Sequence, residues 1–300
     1  MVNALLGFVF IYCLFYGRLF GPVLILASAG IAVFFFVNGR HKHTGFIPID
    51  IVAQFSRLKT VDPTLKISTL LVLMVLSVAS GNPFTGLFLT VVMLALTVFV
   101  GGIKLHEYVQ IIALPVGFLL VSGLALLFEV DLAPAGVINF DVLNIWFCVS
   151  AEAQAQAMLV IARAMGALSC LLAIGMSTPM PDVINVLRRM RCPKLIIDLS
   201  YLIYRYVFVL LGLHHEMHDA AKSRLGMKDY KTSLRTTAHI YSNLLARSHQ
   251  MASINFDAME SRCFDSGIRF LERRSKADPP QVCMGLGLVA ITLALSVLPL

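Results

Sequence analysis

Charge is what this chain is short of. Of its 300 residues only 14% are Asp, Glu, Lys or Arg and 58% are hydrophobic, where soluble domains carry about 25% and roughly 45–50%. With a mean hydropathy of +0.82, that composition excludes an ordinary soluble domain and implies a core built against lipid. Paired cysteines are missing too. The six cysteines, at 13, 148, 170, 192, 263 and 283, stand singly with no C-x-x-C, which leaves them as small apolar residues. The sequence also lacks a G-x-x-x-x-G-K-[ST] phosphate loop, a G-x-S-x-G elbow and an H-E-x-x-H pair. It therefore has no such route of its own to nucleotide hydrolysis, acyl transfer or zinc-dependent hydrolysis. A non-enzyme without a cofactor is expected.

What charge there is has a pattern. The net charge of +7 could suggest nucleic acid, but the basic residues cluster in loops beside apolar runs, as the positive-inside rule expects of cytoplasmic connectors. No nucleic-acid partner is expected. Residues 1 to 37 are nearly all apolar and are broken only near Arg18, so they read as a hairpin of two short spans, with one broken helix as the alternative. A basic connector, 38 to 66, follows. Apolar runs then recur at Ile67 to Ser80, Phe84 to Val100, Val109 to Phe128, Ala153 to Met176 and Val282 to Leu300 and read as spans, all but the shorter first one close to the ~20 residues a membrane helix needs. The connector Glu129 to Asp141 carries three acids and no Lys or Arg and reads as external. Arg163 lies inside an apolar run, where an unpartnered cation is costly. A contact facing the bundle and a functional role both remain open for it.

Between His214 and Asp278 the pattern reverses. These sixty-five residues hold eleven of the 24 Lys and Arg, eight of the 17 Asp and Glu, and five of the eight His. Such a stretch works at or beyond a membrane face. Apolar residues leading into it and along it recur at helical spacing: Ile203, Val207, Leu210, Met217 and Ala221, ending near Gly226, then Ile240, Leu244, Met251, Ile254 and Ala258, with Leu245 and Met259 widening the stripe. Leu195 to Leu213 is long enough to span but has basic segments on both sides, so it is expected to re-enter or lie along the inner face, with Asp198 and Arg205 at polar positions. His214, His215 and Glu216, with His218 one helical turn from His214, pose the question of a metal or catalytic site. A solvated helix face is the simpler reading.

Several segments resemble one family. Ile49-Asp50-Ile51-Val52-Ala53, Ser56-Arg57-Leu58 and Val61-Asp62-Pro63-Thr64-Leu65-Lys66 look like the opening of the transmembrane T components of energy-coupling-factor transporters, in particular the cobalt-type CbiQ. Leu187 to Pro193, then Tyr204 to Leu210 with Arg205, then Glu216, resemble the stretch leading into that family's coupling helices. Ala221-Lys222-Ser223-Arg224 and Ala258-Met259-Glu260-Ser261-Arg262 fall where the family carries Ala-Arg-Gly motifs. The resemblance covers about residues 46 to 300. Leu225 and Cys263 stand where the motifs have Gly, which bears on the angle at which Arg262 leaves its helix.

The resemblance implies an all-α integral membrane protein, a bundle of about five core spans plus an N-terminal extension of one or two spans, with long amphipathic cytoplasmic coupling helices. Its divisions would be 1–45 (extension), 46–178 (bundle), 179–278 (coupling module) and 279–300 (final span). It implies ATPase coupling through Ala221, Ser223, Arg224, Ala258, Ser261 and Arg262, supported by Asp50, Asp62, Pro63, Arg163, Arg205 and Glu216, and no metal site. The expected partners are two ATP-binding cassette ATPase subunits, a cobalt-capture membrane subunit, a small accessory membrane subunit as an option, and lipid of the plasma (inner) membrane. The expected cargo is Co2+, with nickel or a vitamin as alternatives. A membrane enzyme built on His214, His215 and Glu216 is the rival from another class. A secondary transporter would need repeated halves, and none is found.

Overall fold

The computed structural model describes residues 2–15, 28, 49–131, 138–142, 145–264 and 279–297. The turn expected near Arg18 lies outside them. In chain order the described elements are α1 (Val2–Phe15), α2 (Ile49–Phe55), a 3-10 turn (Arg57–Thr60), α3 (Pro63–Ala79), α4 (Pro83–Ala95) running into a π turn (Leu96–Val100), and α5 (Leu105–Leu127). There follow β1 (Glu129–Asp131), β2 (Ile138–Val142), β3 (Ile145–Val149), α6 (Ala151–Ser177), α7 (Met180–Arg189), α8 (Lys194–Ser223), α9 (Tyr230–Glu260) and α10 (Pro279–Val297). Helices dominate, as expected of a membrane bundle. Among the described residues five stretches are long and apolar enough to cross a membrane: Pro83–Val100, Leu105–Leu127, Ala151–Ser177, Lys194–Ser223 and Pro279–Val297. α3 is a shorter apolar helix.

The connector after α5 is more ordered than a loop. Its three short strands form an antiparallel sheet in the order β1-β3-β2, with Val130 opposite Phe147 and Phe140 opposite the same residue. The apolar run Ile145 to Val149 pairs on both sides, which satisfies its backbone groups without a helix.

The chain divides into two compact units, Met1–Pro179 with Ser275–Leu300, and Met180–Arg274. In the first, local chemistry sets the helix starts. Asp62 Oδ1 accepts from the Thr64 N–H at 3.4 Å with Pro63 at the first helical position of α3, which pre-sets the backbone and satisfies an otherwise unpaired donor. Ser150 caps α6 in the same way through the Ala153 N–H at 3.0 Å. α4 and α6 then pack backbone to backbone. A Cβ on Gly86 would strike the Ala162 carbonyl oxygen, and one on Gly166 would lie 2.9 Å from the Gly86 Cα. Without a hydrophobic drive between helices in lipid, close approach at small residues supplies the van der Waals contact that holds them. Leu73, Leu89, Met93 and Cys170 fill the space beside this seam. Ile11 and Leu14 of α1 join Leu127, Val149 and Ala157 in a second cluster.

The second unit is a helical pair with α7 leading into it. Leu195 to Leu213 does not turn back on itself: it is the first two-thirds of α8, one unbroken 30-residue helix. Contacts run in reverse order along the two long helices. Tyr206 and Leu210 line a small cavity with Met251 and Ala252, the His214 ring stacks on Tyr241 at 5.5 Å, and Gly226 sits against Thr236. α8 and α9 are therefore antiparallel. The buried side of α9 runs through Thr236, Ile240, Leu244, Ser248, Met251, Asn255 and Met259. Leu245 (73%), Ile254 (58%) and Ala258 of the expected stripe are exposed instead.

Candidate functional site

The residues singled out in the sequence separate into those that hold the first unit together and those that end exposed helices in the second. Lys66, on α3, is 8% exposed, and its Nζ donates to the Ser177 carbonyl at 2.8 Å and to the Leu58 carbonyl at 3.1 Å. Ser177 is the last residue of α6. Arg163, on α6, donates from Nε to the Ser80 carbonyl at 2.6 Å, and Ser80 caps the end of α3. Each helix thus lends a cation to the carbonyl end of the other, residues 66 and 80 on one and 163 and 177 on the other, at the same spacing of about 21 Å. The terminal carbonyls of a helix are unpaired and carry partial negative charge, so they are suitable partners for cations that lipid would penalise. Asp62 and Pro63 begin α3, as described above. Asp50 lies in α2, and its side chain is outside the described residues.

In the second unit both motif arginines sit at a helix end of the same construction. At the end of α8 the Gly226 N–H bonds to the Ala221 carbonyl at 2.9 Å and the Leu225 N–H to Lys222 at 3.1 Å. At the end of α9 the Phe264 N–H bonds to Met259 at 3.1 Å and the Cys263 N–H to Glu260 at 3.0 Å. This pair of bonds is the Schellman arrangement, whose penultimate residue takes the left-handed conformation that glycine tolerates best. Here those residues are Leu225, with φ of 60°, and Cys263, with φ of 57°. They are the two positions where the motif's glycine is replaced. The first helix does not wait for Gly226 to end: Gly226 follows the left-handed residue. Both tips make the same turn without glycine.

Arg224 and Arg262, one residue before the turn, are exposed. The serine ahead of each bonds back into its helix, Ser223 Oγ to Asp219 at 2.9 Å and Ser261 Oγ to Ala258 at 3.0 Å. Matching the tips by their turns pairs Arg224 with Arg262 and Ala220, rather than Ala221, with Ala258. It exposes a repeat that the sequence reading missed: Asp219-Ala220-x-x-Ser223-Arg224 and Asp257-Ala258-x-x-Ser261-Arg262. The hidden signal was that identical spacing, offset by one residue from the alanine chosen. Ala221 is half-buried and Ala258 exposed. Arg224 stands at the bend between the antiparallel helices and Arg262 at the far end of the 31-residue α9, so the two tips lie about 45 Å apart along the axis. A third end follows the same rule: Arg191, with φ of 63°, closes α7 through Cys192 N–H to Leu187 at 3.3 Å.

The remaining candidates do not join either tip. The Arg205 guanidinium lies 6.0 Å from the Tyr206 ring centre. Glu216 is exposed. His214 faces His218 at 6.2 Å between ring centres, His215 Nδ1 is 2.7 Å from the Leu211 carbonyl, and His218 Nδ1 lies 3.5 Å from Asp219. Among the described residues no group of three or more His, Cys, Asp or Glu could hold a metal ion.

Against this geometry the comparisons with known proteins are decisive. The family described as CbiQ, cobalt transport protein, matches residues 54–271. The chain belongs to the CbiQ family. It is similar to the cobalt transport protein CbiQ of Rhodobacter capsulatus, 31% identical over 217 residues, covering 72% of this chain and 84% of that one. It is similar to the CbiQ of Salmonella typhimurium, 25% identical over 210 residues, covering 68% and 93%. The putative fused cobalt transport protein CbiMQ of Methanocorpusculum labreanum is 28% identical over 244 residues, 80% of this chain but only 41% of that longer protein. The chain is accordingly a multi-pass membrane protein of a transport family, the T-component type of energy-coupling-factor systems, and not an enzyme.

Proposed function

We propose that this CbiQ-family chain couples ATP hydrolysis in two partner ATPase subunits to a separate ion-capture membrane subunit, importing Co2+. The observation that supports it most is the repeated tip: two exposed arginines on matching turns, about 45 Å apart, suited to engage two copies of one partner. Arginine keeps its charge at any physiological pH and offers a planar fork of donors for carboxylates or backbone oxygens. Held by a rigid helix end and buried by a partner, it passes displacement along the helix instead of swinging free. This orientation puts the α8–α9 pair at the cytoplasmic face of the plasma (inner) membrane, consistent with its charge. The fused CbiMQ relative, whose name joins two transport components in one chain, supports a second membrane subunit as partner.

The test is uptake by the complete assembly. Replacing both Arg224 and Arg262 with alanine is expected to abolish ATP-dependent cobalt accumulation while the chain still inserts and purifies. Unchanged uptake would falsify the proposal.

A further inference from the structure

The repeat at the two tips is confined to one side of each helix. With about 100° of rotation per residue, Asp219, Ser223, Ala220 and Arg224 follow one another around α8 within an arc of about 140°. Asp257, Ser261, Ala258 and Arg262 do the same on α9, and all eight residues are exposed. The two positions that differ fall outside that arc: Ala221 and Met259 are half-buried, while Lys222 and Glu260 are exposed and opposite in charge. Nothing within the chain accounts for the shared aspartate. Among the described residues the ion pair at either one is His218 Nδ1 to Asp219 Oδ1 at 3.5 Å, with Asp219 still 78% exposed, and α9 has Phe256 where α8 has His218. Three residues on, a helical neighbour, stands Lys222 at one tip and Glu260 at the other, so a pair within the helix is available at only one of them. An acid towards the C-terminal end of a helix is also mildly unfavourable.

We propose that each four-residue face is the contact surface of one partner groove, and that the groove is bipolar, with a Lys or Arg of the partner meeting the aspartate and an acid meeting the arginine. This rests on the reading that two copies of one ATPase subunit take the two tips. A groove that touches both charges must embrace the helix end across about 140° instead of lying along one side. Between the charges the surface is low. The serine hydroxyls are taken up by carbonyls of their own helices at 2.9 and 3.0 Å and alanine adds only a methyl, so the partner's backbone can pass closely over this saddle. The aspartates then determine specificity: an arginine alone suits any acidic surface, whereas a fixed pair of opposite charges sets the partner's orientation and repels a uniformly acidic one.

The experiment measures retention of the ATPase subunits by the purified full chain in a pull-down, with size exclusion and circular dichroism confirming each variant's fold. Asp219→Lys/Asp257→Lys should lower retention about tenfold or more, and either substitution alone should weaken it to the same extent as the other. Asp219→Asn/Asp257→Asn, which keeps the shape, should lower it about threefold and carries the test if the lysine variant does not fold. Ala220→Trp/Ala258→Trp should match the lysine variant by filling the saddle. Lys222→Glu/Glu260→Lys, off the repeated face, should leave retention unchanged. Parental retention by the aspartate variants, or an equal loss from the Lys222/Glu260 variant, would overturn the inference. If Arg224→Ala/Arg262→Ala loses the ATPases while the aspartate variants keep them, the arginines act alone and the proposed coupling function stands without the bipolar groove. Full retention by the arginine variant would instead overturn the coupling reading itself, and the inference with it.

Discussion

In the first unit Lys66 and Arg163 each end on a carbonyl at the close of a neighbouring helix, whereas in the second Arg224 and Arg262 are exposed one residue before the close of their own. The same chemical element, a cation beside a helix C-terminus, is used inward in one region and outward in the other. Inward, it stitches α3 to α6 and pays part of the cost of placing charge among apolar helices. Outward, it is left for something else to bury. The backbone follows the same division. Small residues bring helices into contact in the first unit, while the three non-glycine residues with left-handed φ among those described, Arg191, Leu225 and Cys263, all close helices of the second.

That contrast can be broken from either side. The largest effect is expected at the α4–α6 seam. Gly86→Leu, whose side chain would run into the Ala162 backbone, should cost about 4 kcal/mol or more, seen as loss of monodisperse protein on size exclusion; a folded Gly86→Leu chain would mean that the helices separate easily. Next come the inward cations. Arg163→Met or Lys66→Met leaves a terminal carbonyl unpaired and should lower stability by about 1–3 kcal/mol in a thermal unfolding assay, with the two effects alike. Asp62→Ala removes only the α3 cap and should cost about 1 kcal/mol. The smallest change has the opposite sign. Leu225→Gly relieves a left-handed residue that costs roughly 1–2 kcal/mol, part of which returns as backbone entropy, so a gain of under about 1 kcal/mol is expected, and Cys263→Gly should behave likewise.

Much of the fold was legible because hydropathy marks membrane segments strongly. The apolar runs at Phe84, Val109, Ala153 and Val282 each mark a helix that begins one to four residues earlier. Pro115 did not hide α5, since membrane helices tolerate proline. Other features were invisible for physical reasons. Hydropathy changes at Leu213 but the helical period does not, so one helix looked like two segments. The inner face of α9 includes Thr236, Ser248 and Asn255, whose polar groups need not point into the seam; Asn255, for one, bonds back to the Met251 carbonyl at 2.7 Å. A stripe read from apolar residues alone therefore drifted onto Leu245 and Ile254. The sheet at Glu129–Val149 lay in a segment read only by its charge. The demand that Arg163 find a partner could be read from its position, but the Ser80 carbonyl, eighty-three residues away, could not. At the tips, the arginines were legible from resemblance, and the matching turns only from backbone angles.

The central claim is that the exposed arginines act outward on a partner and do nothing for the chain itself. The most direct measurement pairs two readings on Arg224→Ala/Arg262→Ala: thermal stability of the purified chain, and its retention of the ATPase subunits in a pull-down. Stability within about 0.5 kcal/mol of the parent with ATPase retention reduced at least about thirtyfold is the predicted result. Full retention of the ATPases would contradict the account.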